Sequence, residues 1–335
     1  MSAPKCGCGI VTYRVSTSTS TVQFAGEQIH RLLRVLAFQV SRTLKSPDPA
    51  AVHDLRVSIR RFTQALAAFK PCYSGKEVKR IRRRLGRIMT QAGGVRNGDI
   101  AIKLLSRSQA AQTAGLIEKV KAEREQAEKD LMDLLRRFVD RSWTSKWRKR
   151  LTSAAALQDA AGEEAIESTA RRMLPRMARK FFSRGEDATH PDASPRDLHQ
   201  FRIAAKHLRY TFELFSPLYG PTLSDRLEQI KAIQTVLGDV NDCETVRRMI
   251  ARYPGYKKAD AQLKRRERKK MDEFNRLWNT TLGAAEKQRA WIEYLHRVRK
   301  KGEVARKVPG RASASAPSSS SAPPDLHAAP AQASA

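Results

Sequence analysis

Apolar residues recur at helical spacing along nearly the whole chain, and Gly and Pro stand at the breaks between the periodic runs. No run alternates Val, Ile or Thr with polar residues, as a half-buried strand does. Short joints that contain Pro or Gly favour antiparallel neighbours packed in bundles, so the expected fold class is all-α. The pattern predicts helices over 22–46, 49–70, 76–92, 97–108, 112–140, 160–184, 195–216, 222–237, 240–252 and, as one long basic helix, about 260–302.

The sequence also repeats itself. Residues 48–73 fall on 194–219 without a gap. A second block, 93–99, lies against 238–244 and is interpreted as a Gly turn in each copy. Each half then has the same order of helices, which predicts two duplicated helical bundles. The repeat pairs Asp48-Pro49 with Ser194-Pro195, His53 with His199, Arg56 with Arg202, and Arg60 with Lys206.

Composition along the chain predicts its division into parts. Residues 1–21 are small and polar and are expected to form a flexible arm. The first bundle is predicted over 22–143, and the second over 160–307. A stretch that begins with a basic run around Trp147, 144–159, is interpreted as the connector between them. Residues 308–335 are mostly Ala, Ser and Pro, a composition typical of a disordered tail.

In both copies of the repeat, one helix carries a basic stripe beside an apolar stripe. The apolar stripe can pack the bundle while the basic stripe stays at its edge. Guanidinium groups one turn apart can donate bidentate hydrogen bonds to successive phosphates of a linear polyanion. A single basic stripe is more often a solvated face, but two copies at a fixed offset favour binding. The basic stripes are His53, Arg56 and Arg60 with Thr63, and His199, Arg202, Lys206 and Arg209.

A third basic helix face is predicted between Lys76 and Ala92. Its arginines share one side of the helix and are expected to line a positive cleft between the halves. They are Arg80, Arg83, Arg84 and Arg87.

Charge is the strongest bulk signal. The chain has 64 Lys and Arg residues against 34 Asp and Glu residues, a net charge of +30. Such an excess is commonly offset by a polyanion, which includes nucleic acid, an anionic membrane surface and polymeric phosphate.

Four cysteines in 335 residues predict no disulfide framework, and no apolar run is long enough to span a membrane. The N-terminus lacks the apolar stretch of a secretory signal, so the cytoplasm is the expected location. Two cysteines in the arm, Cys6 and Cys8, are too few to predict a metal site. No metal or cofactor is expected.

These motifs resemble the CHAD domain, a helical domain named for its histidines, over roughly residues 22–300. They are 52–57 with Arg60-Arg61, 198–203 with 206–210, and 237–242. The chain departs from the family pattern at Thr63, Asn97 and His207. The resemblance implies two pseudo-twofold-related bundles with a basic pore where they meet. It implies inorganic polyphosphate as ligand and, for some members, a place on polyphosphate granules. By position, the implied ligand residues are His53, Arg56, Arg60, Arg61, His199, Arg202, Lys206 and Arg209.

Family members are often fused to a triphosphate-tunnel domain, whose Glu-x-Glu-x-Lys motif is absent here, so a stand-alone module is expected. No Walker loop, His-Glu-x-x-His motif or nucleophile elbow is present, and nothing predicts catalysis. An acidic group, Asp239, Asp242 and Glu244, is interpreted as capping helix 240–252 or pairing with arginines rather than holding Mg²⁺. The hypothesis is a non-catalytic polyphosphate-binding protein. The alternatives are a nucleic-acid-binding protein, for which the basic faces lack interleaved aromatic residues, and a polyphosphate-processing enzyme.

Overall fold

The computed structural model describes residues 19–107, 114–139, 142–156 and 164–298. These residues form α-helices joined by short turns, with no β-strand among them, so the predicted all-α class is confirmed. Most of the predicted arm and all of the predicted tail lie outside the described residues. The helices are α1 (Thr21–Lys45), α2 (Pro49–Ala68), α3 (Gly75–Leu105), α4 (Ala114–Phe138), α5 (Trp143–Ala156), α6 (Ile166–Thr189), α7 (Pro195–Tyr219), α8 (Thr222–Ile250), α9 (Lys257–Thr281) and α10 (Ala285–His296), with a 3-10 turn at Lys70–Cys72.

The two predicted N-caps of the repeat are both formed. The Asp48 carboxylate accepts hydrogen bonds from the backbone N–H groups of Ala50 and Ala51 at 2.8 Å each. Ser194 and Asp197 form a reciprocal capping box at the start of α7. In each case Pro occupies the first helical position, where its missing N–H removes no helical hydrogen bond. Sequence therefore set the starting points of both basic helices.

The predicted Gly turns are wrong. Helix α3 runs unbroken through Gly93 and Gly94, and α8 runs unbroken through Gly238. In α3, Gly94 and Gly98 allow close packing against α4. A Cβ at Gly94 would lie 3.2 Å from the Cβ of Ala127, and one at Gly98 would lie 2.6 Å from the Cβ of Arg124. The missing side chains thus let α4 approach α3 closely.

Two other helix ends also differ from the prediction. The basic helix predicted over 260–302 is divided at Leu282–Ala284 into α9 and α10, and residues 299–302 lie outside the described part. Trp291 on α10 packs against Phe182 of α6, with ring centroids 5.9 Å apart. Helix α7 continues past the predicted Pro217 turn to Tyr219. Gly220 follows as its C-cap, with a φ of 72°, a conformation that glycine adopts without strain.

One apolar core runs through both halves of the repeat. Phe215 of α7 lies 5.9 Å from Phe24 of α1 and 5.6 Å from Phe69, measured between ring centroids. A smaller second core joins the C-terminal parts of α3 and α8 to the N-terminal parts of α4 and α9. The two halves therefore share their interior, which sequence periodicity did not reveal.

The stretch predicted as a connector, 144–159, is helical as far as it is described. Helix α5 buries Trp143 and Trp147, and Trp147 stacks on Phe62 at a centroid distance of 6.1 Å. The end of the predicted arm is also ordered, since Ser20 pairs with Ala165 in an isolated β-bridge. Residue 21, assigned to the arm, is the first residue of α1. Among the described helices, none has the length and apolarity needed to cross a bilayer.

Candidate functional site

The two basic helices of the repeat, α2 and α7, pack against each other. Gln64 donates a hydrogen bond to the buried Thr211 hydroxyl at 2.9 Å. Arg61 forms an ion pair with Glu213 at 2.8 Å. Helices α3 and α8 also meet each other across the halves. The apolar stripes face the shared core, so the basic stripes of both copies lie beside the same junction.

Five cations from three of these helices influence one another electrostatically, and we refer to them as the central basic cluster. Two come from α2, two from α7 and one from α3. Arg60 is the common neighbour, since its charge acts on cations of both halves. The members are Arg56, Arg60, Arg96, Arg202 and Lys206.

Arg56 lies against the backbone of α3. Its Nη1 donates to the carbonyl oxygen of Met89 at 2.9 Å. A Cβ at Gly93 would lie 3.1 Å from the same nitrogen, so this glycine leaves room for the guanidinium. Burial, followed by the charges of Arg60 and Arg96, lowers the pKa of Arg56 to about 10. Arg56 is thus a desolvated cation with cationic neighbours.

Lys206 is the most perturbed member of the cluster. Burial, followed by the charges of Arg202 and Arg60, lowers its pKa to about 7. The pKa of Arg202 is also lowered, first by burial and then by Arg60. Close like charges in a poorly solvated place destabilise each other. The site therefore holds positive charge that an anion would stabilise.

Asp242 of α8 is the main carboxylate facing the cluster. Burial raises its pKa, while Arg96 and Arg202 act in the opposite direction. His53 lies at the edge of the cluster. Its pKa is lowered by burial and then by the Arg96 charge, which favours a neutral imidazole. Glu244 also acts on Arg202, so two carboxylates offset part of the charge of the five cations and the site stays net positive.

Several predicted ligand residues lie elsewhere or have other partners. Arg61 and Arg209 both face Glu213, Arg209 at 3.5 Å, and the Arg209 guanidinium lies 4.7 Å from the Tyr210 ring centroid. Arg61 therefore pairs across the junction between α2 and α7, whereas the contacts of Arg209 lie within α7. His199 is exposed and, with Arg202, lines a cavity of about 220 Å³ between α7 and α8.

The predicted basic face of α3 is divided between two environments. Arg84 points to the end of α4, donating to the carbonyl oxygen of Phe138 at 3.2 Å, with its guanidinium 4.8 Å from the Phe138 ring centroid. Arg80, Arg83 and Arg87 are exposed, and the described residues place no carboxylate in ion-pair contact with them. Their role in binding stays a prediction.

Sequence reasoning missed Arg96 and Asp242 as site residues. Both lie in the segments that were interpreted as Gly turns, and both face the site because those segments are helical. A signal was present: Arg82 and Arg96 are 14 residues apart, which is close to four full helical turns. On an unbroken helix they share a face, and Arg82 indeed acts on His207 of α7.

The acidic group around Gly238 is not arranged for a metal. Asp239 forms an ion pair with Lys270 of α9 at 3.1 Å, and Glu244 pairs with Arg248 at 3.6 Å. Within the described residues, no three His, Cys, Asp or Glu side chains come together as a metal site would need. The interpretation as ion pairs is confirmed for these two carboxylates. The helix-capping interpretation is wrong, because α8 does not begin at this point.

The fold is similar to two solved structures. The crystal structure of the CHAD domain from the plant Ricinus communis has a TM-score of 0.61 and 18% sequence identity, covering 86% of this chain and 96% of that one. PptA from Streptomyces chartreusis has a TM-score of 0.56 and 14% identity, covering 78% of this chain and all of that one. A comparison with curated proteins gives no match. The model of the CHAD domain family matches residues 27–251, most of the described helices, and the chain therefore belongs to the CHAD domain family.

Proposed function

We propose that this protein binds inorganic polyphosphate at the central basic cluster and does not process it. The observation that carries the proposal is the partly buried Lys206, whose amine feels the charge of Arg202 from its own half and of Arg60 and Arg56 from the other half. A chain of phosphates offers one negative charge per unit and can contact several of these cations at once. Burial and then mutual repulsion lower the pKa values of Lys206, Arg202 and Arg56, and a bound anion would offset both effects.

The surroundings of the cluster favour polyphosphate over nucleic acid. Base recognition in single strands uses exposed aromatic side chains for stacking. The exposed large hydrophobic residues of the described part are Val35, Phe38 and Val139, and none of them lies on α2, α3, α7 or α8. The cluster therefore offers contacts to phosphates without a surface for bases.

The catalytic alternative needs carboxylates that are free to hold a divalent cation. Asp239 is engaged by Lys270, with Arg266 at 4.0 Å. Asp242 is held between arginines, and its raised pKa reflects a desolvated side chain. This arrangement supports binding without hydrolysis.

Competition at near-physiological salt tests the proposal. Labelled long-chain polyphosphate is bound to the full chain and displaced with unlabelled polyphosphate, single-stranded RNA or duplex DNA. We expect displacement by polyphosphate at the lowest concentration and a steep loss of affinity with salt. Equal displacement by nucleic acid would favour the nucleic-acid alternative. Release of orthophosphate with Mg²⁺, lost in Asp242→Asn, would favour the enzyme.

A charge-matched pair of double variants locates the site. Arg56→Gln with Arg202→Gln removes one cluster cation from each half. Arg265→Gln with Arg289→Gln removes the same charge from exposed positions on α9 and α10. Each charge-assisted contact is worth about 1.5–3 kcal/mol, so the first variant should bind at least about tenfold more weakly. Equal losses in the two variants would mean that only net charge matters.

The proposal extends to location: the protein is expected in the cytoplasm, on polyphosphate granules where these form. A fluorescent fusion should concentrate on the granules, and the Arg56→Gln, Arg202→Gln fusion should be diffuse. A fusion that stays on granules without the cluster would separate granule association from this site.

A further inference from the structure

A second cationic cavity lies between α1 and α5, on helices that contribute nothing to the central basic cluster. Its volume is about 530 Å³, and apolar side chains of α1, Leu33 and Ala37, form part of its wall. The polar residues that line it are Glu27, His30, Arg34, Thr144, Ser145 and Arg148. The volume is within the range typical of small-molecule sites.

The arginines of this cavity are available to a ligand. Arg34 and Arg148 are exposed, come from different helices, and have no carboxylate in ion-pair contact among the described residues. His30 lines the same cavity, and its pKa is lowered by burial and then by the Arg148 and Arg34 charges. Its Nε2 is 3.5 Å from the Thr152 hydroxyl. The cavity thus combines two guanidinium groups with a neutral imidazole.

Helix α5 holds its part of the cavity in a fixed orientation. Trp143 and Trp147 are buried, and their rings pack edge to face at 5.1 Å. With this face in the core, Thr144 and Arg148, one turn apart, face the cavity. Thr144 and Ser145 lie in the first turn of α5, where hydroxyls and helix polarity add to the attraction that the arginines exert on an anion.

An exposed aromatic side chain, Phe38, lies one helical turn beyond Arg34 of the cavity wall. Phe38 follows Arg34 by four residues on α1, so the two lie on the same face one turn apart. Its side chain is 64% exposed, compared with 37% for Val35 and for Val139. Among the described residues, no aromatic ring pairs with that of Phe38, although the core is rich in ring pairs. Its exposed ring offers a stacking surface next to a guanidinium group.

We propose that this cavity binds a nucleoside phosphate, with the phosphates between Arg34 and Arg148 and the base on Phe38. Arginine forks suit phosphate oxygens, and a flat aromatic ring suits any base. Glu27 lies two turns before Arg34 on the same face and supplies an acceptor for ribose hydroxyls. The same chemistry fits a free nucleotide and a nucleotide within a single strand. The proposal is independent of polyphosphate binding, because it uses none of the cluster residues.

Calorimetry on the full chain tests the proposal with three probes: ADP, pyrophosphate and adenosine. We expect ADP to bind with one-to-one stoichiometry and more tightly than either of the other two. Arg34→Gln with Arg148→Gln should weaken ADP binding about tenfold or more. Phe38→Ala should weaken ADP binding by at least about fivefold and leave pyrophosphate binding unchanged.

Controls separate this cavity from the central basic cluster. Arg265→Gln with Arg289→Gln, which matches the charge change, should leave ADP binding unchanged, as should Arg56→Gln with Arg202→Gln. A short oligoribonucleotide in place of ADP distinguishes the source: tighter binding with the same dependence on Arg34, Arg148 and Phe38 indicates a nucleotide within a strand. The proposal is overturned if no probe binds, if the cluster variant alone loses ADP, or if pyrophosphate binds as tightly as ADP and Phe38→Ala changes nothing.

Discussion

At the scale of single residues, the site is defined by cations that the fold keeps in an unfavourable environment. Lys206 and Arg56 are partly withdrawn from water, and each faces guanidinium groups. Holding these charges together destabilises the folded protein. Strongly perturbed pKa values concentrate at functional sites, which favours a role for this cluster in binding. The repeat partners Gly93 and Gly238 differ in their surroundings, since only Gly93 lies against an arginine of the cluster.

Binding of polyphosphate should weaken as pH rises above 7. In the free protein the pKa of Lys206 is about 7, against an ordinary value of 10.5. Adjacent phosphates raise this pKa, so binding takes up a proton above pH 7, and affinity should fall about tenfold between pH 7 and 9. Lys206→Arg stays charged and should remove this dependence. A titration with equal slopes for the wild type and Lys206→Arg would contradict the assignment.

Alanine at Gly93 should disturb the site, whereas alanine at its repeat partner should not. A Cβ at Gly93 lies 3.1 Å from Nη1 of Arg56, so Arg56 must shift, and polyphosphate affinity should fall about threefold. A Cβ at Gly238 meets nothing within 4 Å. Gly238→Ala should instead raise the free energy of unfolding by about 0.5–1 kcal/mol, as expected in a helix interior, with affinity unchanged. Denaturant unfolding and polyphosphate binding are measured on both variants. Equal affinities for the two would mean that the position of Arg56 does not depend on the missing side chain at Gly93.

At the scale of elements, glycines inside helices allow a neighbouring helix or side chain to pack closely, and they do not form turns. Gly94 and Gly98 bring α3 and α4 together, and Gly185 on α6 receives the ring of Trp278 on α9. The N-caps of α2 and α7 could be predicted because they depend on neighbouring residues only. The function of the glycines could not, since it depends on which helix packs against them.

Gly185→Ala should destabilise the second half of the repeat. The new Cβ would lie 2.0 Å from the Trp278 ring, which is held by Phe181 and Phe201 at centroid distances of 5.8 and 5.3 Å. Overpacking of a rigid ring costs about 1–3 kcal/mol or more, so the melting temperature should fall by several degrees. Gly26→Ala on α1, where a Cβ meets nothing within 4 Å, is the matched control and should not destabilise the protein. Equal stability of the two variants would show that Trp278 moves freely.

At the scale of the whole molecule, the two halves of the repeat depend on one interior. The core that includes Phe24 and Phe69 continues through Phe215 into the second half. The basic stripes are edges of this shared core, so the central basic cluster exists only when both halves are folded together. The cavity between α1 and α5 is formed by the first half and the predicted connector, and it adds a second charged surface of different chemistry.

The two halves should unfold in a single transition. Trp143 and Trp147 report on the first half, and Trp278 and Trp291 on the second. In variants that keep only one pair, with the other pair changed to Phe, the fluorescence and far-ultraviolet circular dichroism transitions should coincide in denaturant. Separate midpoints within one variant would show that the halves fold independently. Because the two probes are compared within one variant, a loss of stability caused by the substitutions does not affect the comparison.

The sequence by itself determined the helical class, the starts of α2 and α7, and the basic stripes that carry Arg56, Arg60, Arg202 and Lys206. These features follow from periodicity and from capping by nearby residues, which are local. Only the tertiary structure decided that α3 and α8 are continuous, that Arg96 and Asp242 face the cluster, and that Arg61 and Arg209 face Glu213. It also decided that helix α5, which includes most of the predicted connector, packs Trp143 and Trp147 in the core. The reason is physical: a glycine in a helix, or an arginine on its surface, acquires its role from the neighbour that packs against it, and that neighbour is distant in sequence.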